Sequence, residues 1–126
     1  VTSINDTGND TSKPPRVDRR AMRELIEVLG AAATRGVLAT FIADATTRLA
    51  AIEAAAAARR MATVGDHLHT LKSTSATLGL VGFAELAHAL EAEAARTTVE
   101  PARTEALRAL FEASIAELAA GFPELA

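Results

Sequence analysis

The stretch MATVGDHLHTLKSTSATLGL, residues 61–80, decides how the chain is read. Val64, Leu68, Leu71, Ser75 and Leu78 recur at three- and four-residue intervals, the spacing that gathers side chains on one face of an α-helix. The pattern predicts a helix over residues 61–78, closed by Gly79 at the position after the cap. Each helical residue turns about 100° from the last, so His69 falls beside the apolar stripe rather than at its centre. Lys72 and Ser73 follow at i+3 and i+4 and share the face of His69, and Ala76 continues it. His67, two residues away, points to nearly the opposite side and is read as solvent-facing.

The same reading extends in both directions. Upstream, Asp18 is a good N-cap for a short helix ending near Gly30, with Met22, Leu25, Ile26 and Leu29 inward. A longer helix is expected over residues 34–58, with Leu38, Phe41, Ile42, Ala45, Leu49 and Ile52 as its buried stripe. Arg59 and Arg60 stand at its C-terminal end, where positive charge suits the helix dipole. Downstream, residues 82–96 form the next helix, with Phe83, Leu86, Leu90 and Ala94 inward; Glu91 and Glu93 are read as surface charges. Pro101 opens a last helix to about residue 120, carried by Leu107, Leu110, Phe111, Ser114 and Leu118. The fold class is therefore all-α: an antiparallel four-helix bundle, because the connections are short, with an additional short N-terminal helix as a lid. Residues 1–16 read as a polar, turn-rich leader or linker, 17–122 as the bundle, and 123–126 as a C-terminal tail.

Composition narrows the function. The chain has 126 residues, room for one domain. Apolar residues make up 49% of it, but there are only four Phe and no Trp or Tyr, so the core must be mostly aliphatic. No Cys means no disulfide and no thiolate metal site. A net charge of −3 without a basic stripe or aromatic platform argues against nucleic acid. No apolar run is long enough to cross a membrane, and a cytoplasmic location is expected.

His69 with Lys72 suits a phosphoryl carrier. Imidazole is a competent nucleophile near neutral pH because a useful fraction is unprotonated. Lys72 places a cation one turn away, where it can offset phosphoryl charge. Ser73 and Ala76 are small enough to admit a partner, and Asp66, at i−3, either holds the ring or is solvated. There is no Gly-rich phosphate loop and no acidic cluster for magnesium, so a partner protein must supply the rest of the chemistry. His67 and His69 point apart and make no metal pair, and His88 lacks any such setting.

These residues resemble the histidine-containing phosphotransfer (HPt) family. Its motif, His-x-Leu-Lys-Gly followed by small residues, an apolar residue and Gly, is matched by His69, Leu71, Lys72, then Thr74, Ser75 and Ala76, then Leu78 and Gly79. The flanking stretches 41–58 and 86–91, the latter ending in Leu90-Glu91, look like the family's neighbouring helices. The resemblance implies that His69 is the phosphoryl acceptor, at the ring nitrogen farther from the backbone, and Lys72 the supporting cation. It implies a monomer that is a carrier and not an enzyme, with no cofactor of its own. Its partners would be receiver domains of response regulators or hybrid kinases, which bring the Asp and the Mg2+; Asp66, Ser73 and Ala76 would line the docking surface. Ser73 stands where the family usually has Gly, which predicts an altered rate or partner choice. Two other readings fit the same residues: a bundle that binds and regulates without being phosphorylated, and the dimerisation and phosphotransfer part of a histidine kinase.

Overall fold

A computed structural model describes residues 16–126. Five helices follow one another: α1 (Arg19–Leu29), α2 (Ala31–Ala57), α3 (Met61–Thr77), α4 (Val81–Arg96) and α5 (Pro101–Gly121), with a 3-10 turn at Pro123–Leu125. Among the described residues there is no strand. Helices α2 to α5 close a ring in which each packs on the next, α3 and α4 most intimately, and α1 lies along α2. The fold is the all-α bundle with an extra short helix that the apolar periodicity predicts.

The stripes of the four long helices meet in one core. Leu49, Ile52, Val64, Leu68, Leu71, Phe83, Leu90, Leu107 and Leu118 are all but sealed from solvent. Phe41, Phe83 and Phe111 meet at its centre, with ring centroids 6.0 Å and 5.5 Å apart in tilted pairs that suit the aromatic quadrupole. Of the buried hydroxyls, Thr34 Oγ1 on α2 donates to the Leu25 carbonyl of α1 at 3.3 Å, and the other three are answered within their own helices. Ser75 Oγ donates to the Leu71 carbonyl at 2.5 Å and Ser114 Oγ to the Leu110 carbonyl at 2.7 Å.

Two corners follow one hydrogen-bond scheme. After α3, the Leu80 N–H bonds to the Ser75 carbonyl at 2.9 Å and the Gly79 N–H to the Ala76 carbonyl at 3.1 Å, a Schellman cap. After α2, Arg60 and Arg59 repeat it onto Ala55 and Ala56 at 2.8 Å and 3.1 Å. The residue at the pivot must have positive φ. Gly79 takes 81° without penalty, whereas Arg59 takes 61° with a side chain.

The segment before α1 pins the α3–α4 corner. The Asp18 N–H bonds to the Gly79 carbonyl at 2.7 Å and the Gly82 N–H to the Arg16 carbonyl at 3.1 Å, while Val17 is buried. The Asp18 carboxylate also caps α1, accepting from Arg20 N–H at 3.1 Å.

Two boundaries and one inward residue differ from expectation. Helix α2 begins at Ala31, not residue 34, because Gly30, at φ 87°, ends one helix and starts the next. Its N–H reaches the Ile26 carbonyl at 2.7 Å and its carbonyl takes the Thr34 N–H at 3.1 Å. That immediate turn leaves the last turn of α1 overhanging, so Leu29 is 44% exposed instead of inward. Residues 123–126, expected as a tail, place Leu125 in the core, and the Glu124 carbonyl accepts from Arg35 at 3.3 Å. The leader expected over residues 1–16 lies outside the described residues, Arg16 excepted.

Candidate functional site

Leu68 and Leu71, both fully buried, fix which face of α3 looks inward. His69, between them in sequence, is turned out of the core, with its side chain 65% exposed. Glu91, on α4, reaches across to it: His69 Nδ1 and Glu91 Oε2 are 3.0 Å apart. A carboxylate can only accept, so Nδ1 carries the proton and donates. In the neutral ring that assignment leaves the lone pair on Nε2, which takes no hydrogen bond from the described residues.

Lys72, one turn after His69, closes the other side of Glu91. Its Nζ lies 2.9 Å from Glu91 Oε1. That oxygen is shut away from solvent and takes no aligned hydrogen bond, so the ammonium answers its charge as an ion pair. Lys72 holds the Glu91 carboxyl below its ordinary value; His69 adds to the effect and burial opposes it. Lysine, carboxylate and imidazole thus form one chain across the α3–α4 seam.

Glu91 is the residue whose importance sequence reasoning missed. Read as a surface charge, it is instead half-buried and joins the two motif residues. Its position depends on the register of α4 against α3, which helical periodicity within either helix does not report. Asp66 does not hold the ring: it is exposed, makes no hydrogen bond to His69, and stands on the rim of a groove beside it. Ser73 and Ala76 are exposed on the face of His69, as expected. His88 is exposed too, and shares a second shallow groove with Lys72 and Ala76.

His67 is a correction. It was expected to face water, but it is half-buried, with Nδ1 3.1 Å from Arg48 Nη1. The cause is α2, which packs on that side of α3 and carries Arg48, itself held by Asp44 at 2.8 Å.

The sequence profile of the Hpt domain matches residues 36–121, more than half of the chain, with His69, Lys72 and Glu91 inside the match. The chain belongs to the Hpt family. No curated protein and no solved structure matches it. Membership makes it a protein of phosphorelay, a carrier and not an enzyme. The Hpt match leaves out α1 and the Arg16–Asp18 strap, although both are part of the packed unit. Among the described residues, no group of three or more His, Cys, Asp or Glu is arranged to hold a metal ion, and no helix is long and apolar enough to cross a membrane.

Proposed function

We propose that this Hpt domain carries a phosphoryl group on Nε2 of His69 between the aspartates of two receiver domains. The observation that carries the reading is the Nδ1–Glu91 hydrogen bond, which leaves the outward nitrogen with a lone pair. In the uptake step, Nε2 attacks the phosphorus of an aspartyl phosphate on the receiver. The N–P bond forms, the P–O bond to the aspartate breaks, and the aspartate leaves as a carboxylate. No proton needs to move, because Nδ1 already carries one. The phosphorylated ring gains positive charge, and Glu91, 3.0 Å from Nδ1, offsets it. Lys72 keeps Glu91 ionised and stands within one turn of the phosphoryl group. Discharge to a second receiver reverses these events.

The receiver supplies the aspartate and the Mg2+ that this chain does not provide. Its contact surface lies around His69, over Asp66, Ser73 and Ala76, and relay of this kind calls for a modest, transient interface. The protein works as a monomer in the cytoplasm.

The test is transfer from phosphorylated receiver domains of the same organism to the parent and to His69→Ala. Acid-labile, base-stable label on the parent and none on the variant supports the reading. Binding without label on the parent sinks it and favours a regulatory bundle; a dimer by light scattering would favour a histidine-kinase fragment.

A further inference from the structure

Gly65 stands one turn before His69 inside α3. Among the described glycines only Gly30 and Gly79 have positive φ, so the backbone at Gly65 does not call for glycine. Nor does packing: a Cβ built at Gly65 meets nothing within 4 Å, whereas one at Gly79 lies 2.8 Å from the Asp18 carbonyl oxygen. Alanine would make a better helix there. Gly36 is equally open, but it lies near the start of α2 and not on the helix that bears His69.

The open space has a location. Gly65 lines a groove between α3 and α4 with Met61, Ala62, Asp66 and Ala94, and His69 and Glu91 form its end. Helical side chains lean toward the N-terminus of their helix, so the His69 ring leans over the turn of Gly65 and not over that of Ser73. On the other side the next turn carries the exposed Ser73 side chain where Gly65 has none. The groove that includes the ring thus runs along its N-terminal side.

We infer that Gly65 is a specificity-determining residue of the transfer, holding open the seat on which the receiver domain rests while its aspartate meets His69. The inference rests on the reading of His69 as acceptor. Two observations identify the occupant. The seat is continuous with the ring, so whatever brings an aspartyl phosphate in line with Nε2 must cover it. Its rim carries Asp66, an exposed carboxylate with no ion pair among the described residues, which calls for a basic side chain on the receiver surface.

The experiment uses the full chain, its variants Gly65→Ala, Gly65→Leu, Ala62→Leu and Ser73→Gly, and two phosphoryl routes. Phosphoramidate, a small donor that needs no docking surface, reports whether the ring is reactive. Discharge of that label to a panel of receiver domains from the same organism reports docking. Each variant's discharge rate is divided by its own phosphoramidate rate. Overfilling a fitted contact predicts a fall of roughly ten- to hundredfold in this ratio for Gly65→Leu. Gly65→Ala should fall less, and Ser73→Gly should change the ratio less than Gly65→Leu does. A parent-like ratio for a folded Gly65→Leu overturns the inference. Should Gly65→Leu not fold, Ala62→Leu decides in its place, because Ala62 is exposed on the same groove. Phosphoramidate label that fails to appear on the parent, or that survives His69→Ala, defeats the acceptor reading itself. Label on the parent that no receiver removes defeats the receiver as occupant.

Discussion

Glu91→Ala removes the acceptor from Nδ1 of His69 and the counter-charge from Lys72 in one step. A charge-assisted hydrogen bond contributes about 1.5–3 kcal/mol when well shielded. Here the ring is 65% exposed and water competes for Nδ1, which brings the figure toward ~1 kcal/mol. With 1.36 kcal/mol to each factor of ten in rate, uptake of phosphoryl from phosphoramidate should slow roughly fivefold at fixed pH. Glu91→Gln keeps an oxygen for Nδ1 but no charge for the phosphorylated ring, and should fall between parent and Ala. The rate alone would not separate positioning from damage to the bundle, so the 15N spectrum of the imidazole accompanies it. Parent and Gln should show a bare Nε2, while in the Ala variant the proton redistributes between the two nitrogens. A Glu91→Ala protein that labels at the parent rate, with Nε2 still bare, refutes the reasoning.

Other expectations follow from the corners and the ion pairs. Gly79→Ala places a methyl 2.8 Å from the Asp18 carbonyl oxygen at a φ of 81°, and should destabilise by about 2–4 kcal/mol, read as a lower urea midpoint at unchanged m-value. Arg59→Gly relieves the strained pivot of the α2–α3 corner and should stabilise by about 1 kcal/mol, since the exposed Arg59–Glu100 pair at 3.8 Å contributes little; a lowered midpoint would contradict this. Glu53 is held below its ordinary value of 4.5 mainly by its hydrogen bond to Arg108, and Glu91 mainly by the Lys72 ammonium paired with it. Depressed carboxylates contribute stability that is complete above the unfolded value and lost as pH falls through the folded one. The urea midpoint should therefore decline below about pH 4.5, and less steeply in a Glu53→Gln, Glu91→Gln double variant. An identical decline in both proteins would show that these pairs do not carry it.

Helix content and inward faces were legible because each is a local matter. The stripe from Val64 to Leu78 and the caps at Asp18 and Gly79 depend on residues within a few positions of one another. The face shared by His69, Lys72, Ser73 and Ala76 was legible for the same reason. What the sequence did not disclose lies between helices. Glu91 meets His69, and Arg48 meets His67, only through the register of α4 and α2 against α3. The Asp18–Gly79 tie at the α3–α4 corner is equally non-local, a contact between residues 61 positions apart in the chain. Leu29 was misread because Gly30 turns the chain at once, and the abruptness of a turn is not a matter of periodicity.

The Arg48–His67 contact bears on regiochemistry. A guanidinium can only donate, so His67 Nδ1 accepts and, in the neutral ring, Nε2 holds the proton. His69 has the reverse arrangement. Two imidazoles two residues apart on one helix therefore offer opposite nitrogens to an electrophile, and His67 offers its own only behind a guanidinium. A phosphoryl donor that errs between them would leave a different positional isomer of phosphohistidine, so the isomer itself reports which residue reacted.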